Sequence, residues 1–181
     1  MRHSSCGFFG NSCWAPPSFG EGRIISNLVC TADTLARLRR VYRIPDAIRL
    51  SFPRRGYDVY TPPVGCLLLH VAAFKCGVWL PLHPSISRLL IALGLTPLQI
   101  SPGFWKNLTG FLVLWREQFE IDDVEKEPSF DDFRYIFQIT SMAPRGQFYL
   151  RPKNKLQFVV PEANVKFVPP WKDEWVVVEG D

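Results

Sequence analysis

The stretch Ser101-Pro-Gly-Phe-Trp-Lys-Asn-Leu-Thr-Gly-Phe-Leu-Val-Leu-Trp-Arg-Glu-Gln-Phe-Glu-Ile121 decides how the rest of the chain is read. Ser101 is an N-cap residue, and Pro102 suits the first helical position, where a missing N–H costs nothing. Phe104, Trp105, Leu108, Phe111, Leu112, Trp115 and Phe119 then recur at helical spacing and mark one broad face. Val113 and Leu114 make the middle apolar all round. A helix of that kind belongs inside a domain, so the reading places it at the centre, with Trp105 and Trp115 both largely buried.

Working outward, the same device recurs. "PLHPSISRLLIALG" puts Pro84 at a helix start and Gly94 at its end, with His83 in the turn near the cap. "TPLQI" opens a short helical turn, and "SFDDFRYIFQIT" reads as a helix capped by Ser129, with Asp131 and Asp132 in its first turn. Upstream, "CTADTLARLRRVYRIP" is an amphipathic helix stopped by Pro45, and "AIRLSFP" is a short strand. "VGCLLLHVAAFKCG" is apolar nearly all round and reads as a buried helix ending at Gly77. After Gly146 the period changes to two: "QFYLRP", "KLQFVV" and "EWVVVEG" read as strands, the first two as a hairpin. The expected class is α+β. Helices occupy about 31–140 around a buried Trp/Phe-rich helix, and a small antiparallel C-terminal sheet occupies about 146–178. Residues 1–25, rich in Gly, Ser and Pro, are expected to be poorly ordered, leaving one domain over 26–181.

The 181 residues suit a single domain, and the composition, 47% hydrophobic and 14% aromatic, supplies a real core. The net charge of +4 is uneven. Residues 1–60 carry nine Arg/Lys against four Asp/Glu, while the remainder carries twelve against thirteen. Five cysteines without a signal peptide argue against a disulfide framework and for an intracellular protein with reduced thiols. The longest apolar run is too short to span a bilayer, so no membrane partner is expected.

Candidate chemistry is sparse. A two-metal nuclease needs converging carboxylates, but Asp131 and Asp132 are adjacent on a helix and are explained as dipole partners. Cys66, His70 and Cys76 form the best metal constellation, yet structural zinc wants four ligands in close pairs and the chain has no Cys-x-x-Cys. Core residues explain them as well, so no metal and no cofactor is expected. No nucleophile elbow and no phosphate-cradling loop is present. The expectation is a non-enzyme. One basic cluster stands out: Arg37, Arg39, Arg40 and Arg43 on the first helix, with Arg54 and Arg55 in the following loop, interleaved with Tyr42, Tyr57 and Tyr60. Such residues suit weak, sequence-tolerant contact with a nucleic-acid backbone.

"LPLHP", "LLIALGLTPLQISPGFWKNLTGFLVLW", "PSFDDFRYIFQI", "GQFYLRP" and "WKDEWVVV" follow one another in an order and spacing that resembles the plant gypsy-type transposon domain, also labelled a gypsy-type transposase domain. The similarity runs from about Tyr42 to the C-terminus, with a departure at "PEANVKFVPP", ahead of Trp171 and Lys172. The resemblance implies a plant retroelement context but carries no catalytic set. It points to a structural or interaction domain in a Gag-like or accessory role, working through protein contacts with itself or with element-encoded partners. Weak nucleic-acid binding through the N-terminal arginines is the alternative, and a transposase enzyme comes third.

Overall fold

The computed structural model describes residues 32–53, 64–121, 126–142, 147–153 and 174–180. Helix α1 (Ala32–Tyr42) leads to strand β1 (Arg49–Ser51). Strand β2 (Cys66–His70) runs directly into the short helix α2 (Val71–Lys75). Helix α3 (Pro84–Leu93), a 3-10 turn at Pro97–Gln99 and helix α4 (Pro102–Ile121) follow. Helix α5 (Phe130–Ile136), strands β3 (Phe137–Met142) and β4 (Gln147–Pro152), and strand β5 (Trp175–Glu179) complete the order. The class is α+β, as expected.

Helix boundaries follow the local chemistry. His83 is the N-cap of α3, its Nδ1 accepting the Ser85 backbone N–H at 3.2 Å, and Pro84 occupies the first turn. At the other end Gly94 sits at φ 61°, and Leu95 N donates back to Leu90 O at 3.0 Å. That left-handed position favours glycine because a Cβ there would crowd the backbone. Ser101 Oγ accepts from Phe104 N at 3.2 Å and caps α4. Ser129 and Asp132 satisfy each other's backbone N–H groups at the start of α5, a capping box.

Two elements depart from the sequence reading. Residues 66–75 are not one helix: Cys66–His70 is a strand and only Val71–Lys75 is helical. A continuous apolar run fits a strand buried on both faces as well as a buried helix, and here the neighbouring strand decides between them. The helix opened by Ser129 stops at Ile136, and Phe137–Met142 is a strand. Its alternation is visible afterwards: Phe137 is buried, Gln138 exposed and Ile139 half-buried. β3 pairs antiparallel with β4 through Phe137↔Pro152, Ile139↔Leu150 and Met142↔Gln147. The strand expected to pair with "QFYLRP", "KLQFVV", lies outside the described residues, and the partner found for β4 is β3.

The second sheet is ordered β1-β5-β2, antiparallel throughout. Its middle strand is therefore the last of the described elements, and its flanks both come from the first 70 residues. Leu50 opposes Val178 on one side of β5, and Leu68 opposes Val177 on the other. Arg49 and Glu179, opposite each other in the register, form a surface ion pair at 3.4 Å. The strand ends at Gly180, φ 119°, where an added Cβ would lie 2.9 Å from Ala47 O. The sheet is thus not a separate C-terminal unit.

The sheet's two faces are both covered. Leu69, Val176 and Val178 join the main core, which runs through Leu38, Phe74, Leu89, Ile100, Phe104, Trp105, Leu108, Phe111, Phe133 and Phe148. Leu68, Trp175 and Val177 pack on the other face against Leu98, with Cys66 beside them. At the centre of the main core an aromatic cluster joins α4 to α5 and β3. Phe111 meets Phe133 and Phe137 edge-on, with centroids 6.0 and 5.8 Å apart. Such pairs add roughly 0.5–1.5 kcal/mol each beyond the area they bury.

Candidate interaction surface and pocket

The basic cluster of α1 divides on inspection. Arg39 turns back over the chain that follows the helix. Its Nη1 donates to Pro45 O at 2.6 Å and to Ile44 O at 3.3 Å, and lies 3.3 Å from Asp46 Oδ1. Its Nη2 donates to Ile48 O. Arg39 therefore fastens α1 to the approach of β1, a structural task that spacing alone did not reveal. Arg37 and Arg40 are exposed on a face they share with Asp33 and Thr34. Arg43 is exposed at φ 50°, where the chain leaves the helix. Arg54 and Arg55, with Tyr57 and Tyr60, lie outside the described residues. Tyr42 stacks on Phe74 with centroids 5.2 Å apart, so its ring is committed to the fold. Burial raises its phenol pKa.

Cys66, His70 and Cys76 are not brought together as a ligand set. Cys66 lies with the Leu68–Leu98–Trp175–Val177 cluster, whereas Cys76 packs against the main core. The His70 Nε2 is 3.0 Å from Leu98 O. The Cys76 Sγ donates to Pro102 O at 3.2 Å, and burial pushes its thiol pKa up to about 11, chiefly because the thiolate would be poorly solvated there. Among the described residues no three His, Cys, Asp or Glu side chains gather in a metal-binding group. Asp131 and Asp132 sit in the first turn of α5. The pKa of Asp132 is lowered by its hydrogen bonds with the Ser129 hydroxyl and backbone N–H.

The structure also shows a cavity that the sequence did not indicate. It measures about 280 Å³ and lies between α3, α4 and the start of α5. Ser85, Arg88, Leu89 and Ala92 form one wall, at the i, i+3, i+4, i+7 spacing of a single helix face. Leu108, Phe111 and Leu112 form the second wall, and Pro128, Ser129, Phe130 and Phe133 close the third side. A polar network sits at its edge. The Ser85 hydroxyl donates to Glu127 Oε2, Arg88 Nη2 reaches the same carboxylate oxygen at 3.1 Å and the Ser85 Oγ at 3.1 Å, and His83 Nε2 is 3.9 Å from Glu127 Oε1. A serine, a histidine and a carboxylate meet here, but not as an acyl-transfer triad. The serine hydroxyl faces the carboxylate instead of the imidazole, whose Nδ1 is taken by the Ser85 backbone N–H. Glu127 is 42 residues from Ser85 in sequence, so no local pattern could have joined them.

Three large apolar side chains on α3 and α4 are exposed. Ile91 adjoins Ala92 and is 80% exposed; Val113 and Leu114, next to Leu112, are 55% and 45% exposed. Trp115, expected to be buried, is only partly so. Its ring contacts Phe111 and Phe119 at centroid distances of 5.5 and 4.7 Å, and its Nε1 donates to Lys126 O at 2.7 Å. β4 lies along the first half of α4, where Asn107 Nδ2 donates to Leu150 O at 3.1 Å, whereas Lys126 lies over Trp115, its ammonium 5.7 Å from the ring centroid. Trp79, ahead of α3, is also exposed. No helix among the described residues is long and apolar enough to cross a membrane.

No curated protein and no solved structure matches the chain. Residues 68–141, from within β2 to within β3, match the family model described as "Putative gypsy type transposon", a span that includes the residues lining the cavity.

Proposed function

We propose that the chain serves a gypsy-type retroelement-derived protein as a non-catalytic interaction domain, in a Gag-like or accessory role. The supporting observation is the open, chiefly apolar recess between α3, α4 and α5, together with the large apolar side chains Ile91, Val113 and Leu114 that α3 and α4 leave in solvent. An open recess lined chiefly by apolar side chains suits contact with a partner's side chain. The three helices around the cavity lie within the matched segment. The test is sedimentation of the purified chain over a range of concentrations, together with affinity capture of the other proteins encoded by the same element. Self-association or retention of an element-encoded protein supports the reading. A monomer that retains none of them refutes it.

Weak nucleic-acid binding is the second reading, and Arg37, Arg40 and Arg43 are the described arginines that keep it open, since Arg39 is engaged elsewhere. If about three phosphates are contacted, log K should fall with log[salt] at a slope near −2 to −3. Arg40→Ala should then reduce the slope by about 1, while Arg39→Ala should act on stability instead. Absence of binding at low salt removes this reading.

A further inference from the structure

We propose that the cavity between α3, α4 and α5 is a docking pocket for a protein segment that carries a carboxylate beside one bulky apolar side chain, and that Glu127 holds the carboxylate's place in the free chain. The proposal rests on the interaction reading above and names the kind of partner.

Size sets the apolar half of the occupant. A cavity of about 150 Å³ accepts benzene, and pockets for drug-sized ligands begin near 300 Å³. The 280 Å³ here corresponds to one large side chain. The walls suit such a group: Leu89, Leu108, Phe111, Leu112, Phe130 and Phe133 present carbon surface. Charge sets the other half. Ser85 and Arg88 stand on the α3 wall, and both turn their donors to one carboxylate oxygen. Ser85 is 93% buried, so its hydroxyl is fixed in direction, and a guanidinium with a neighbouring hydroxyl is well matched to a carboxylate. Glu127 meets that demand from the connection between α4 and α5, yet its side chain is half exposed. An exposed ion pair of this kind contributes little stability, so an incoming carboxylate can displace it. A purely apolar occupant would leave the donors of Ser85 and Arg88 without a role in binding.

The test uses the full chain and two fluorescent probes, anilinonaphthalene sulfonate and the uncharged N-phenylnaphthylamine. Each is titrated into the wild type, Glu127→Gln, Arg88→Ala and Ala92→Trp. Arg88, Ala92 and Glu127 are all exposed, so folding should survive; a cooperative melt checks it. Removing the competing carboxylate in Glu127→Gln should tighten the anionic probe about five-fold, and Arg88→Ala should weaken it by about as much, with the neutral probe changed less than two-fold by either. Ala92→Trp, which fills the mouth, should weaken both probes at least ten-fold. Displacement of the anionic probe by acetyl-Glu-Trp-amide should need about five times less peptide than displacement by acetyl-Gln-Trp-amide.

Unchanged probe binding in Ala92→Trp overturns the pocket. Unchanged anion binding in both Glu127→Gln and Arg88→Ala, or equal displacement by the two peptides, overturns the carboxylate requirement. If the pocket fails these tests while the chain still associates with itself or with element-encoded proteins, the interaction reading stands without it. If the probes and peptides behave as expected but no protein associates, the interaction reading falls instead.

Discussion

The two halves of α4 share one helix and one kind of composition, yet they do different work. Between Pro102 and Phe111, Phe104, Trp105, Leu108 and Phe111 are all buried, packed against β4, α2 and the aromatic residues of α5. Between Leu112 and Phe119 no residue is fully buried, although Leu112, Val113, Leu114, Trp115 and Phe119 are as apolar as those before them. Composition alone does not decide burial; what covers a helix does. At about 1.5 Å per residue, the 20 residues of α4 extend about 30 Å, and the neighbouring elements cover its first half. The first half therefore stabilises the fold, while Val113 and Leu114 on the second half remain in solvent.

Substitutions can break or sharpen this contrast. The largest effect is expected for Trp105→Ala, since the ring is fully buried. A loss of about 3–5 kcal/mol should leave a domain of ordinary stability unfolded or nearly so. A cooperative thermal melt with an unchanged midpoint would show that α4's first half is not the core. Trp115→Ala should cost less, about 1–2 kcal/mol, for a partly buried ring and one indole hydrogen bond to Lys126 O. Equal losses at the two tryptophans in denaturant titrations would erase the contrast.

Cys76 reports on the covered half by a different route. Burial raises its thiol pKa from 9.0 to about 11, with Lys106 on α4 acting weakly the other way. Its folded pKa lies above its unfolded one, so the contribution is fully present below about pH 9 and is lost as pH rises towards 11. Alkylation of Cys76 at neutral pH should therefore be slow in the folded chain and fast after denaturation, read by mass spectrometry of the labelled peptide. Equal rates would show that this side of α4 is open. His83→Ala, removing the N-cap acceptor of α3, should cost about 1 kcal/mol or less. The smallest stability effect belongs to Val113→Ser with Leu114→Gln, within about 0.5 kcal/mol, because both side chains lie in solvent. The same pair should weaken any association measured by sedimentation. A large destabilisation would mean that this surface is structural.

How far the sequence could be read depended on where the deciding information lay. α1, α3 and α4 were legible because Ser, Pro and Gly mark their ends and a 3.6-residue period marks their faces. β2 was not, since Cys66–His70 is flanked by apolar residues on every side and only its pairing with β5 distinguishes strand from helix. The change from α5 to β3 fell within one aromatic run, where Phe133 and Phe137 are buried in either conformation. Among the candidate site residues, the sequence showed the charge on α1 but not that Arg39 spends it on carbonyls five to nine residues ahead. Glu127 closing on Ser85 and Arg88 was invisible, because nothing local to residue 127 refers to α3.

The position of β5 between β1 and β2 bears on how the chain is made. Arg49 and Leu50 leave the ribosome well over a hundred residues before their partners Glu179 and Val178 exist. Until then β1 and β2 each present an unsatisfied strand edge, and Leu68 and Leu69 wait without cover. The loop-closure entropy of joining such distant segments makes this sheet a late event in folding. A nascent chain stalled before Trp175 would carry the aromatic centre around α4 but lack the strand that seals it, and would be a natural client for chaperones.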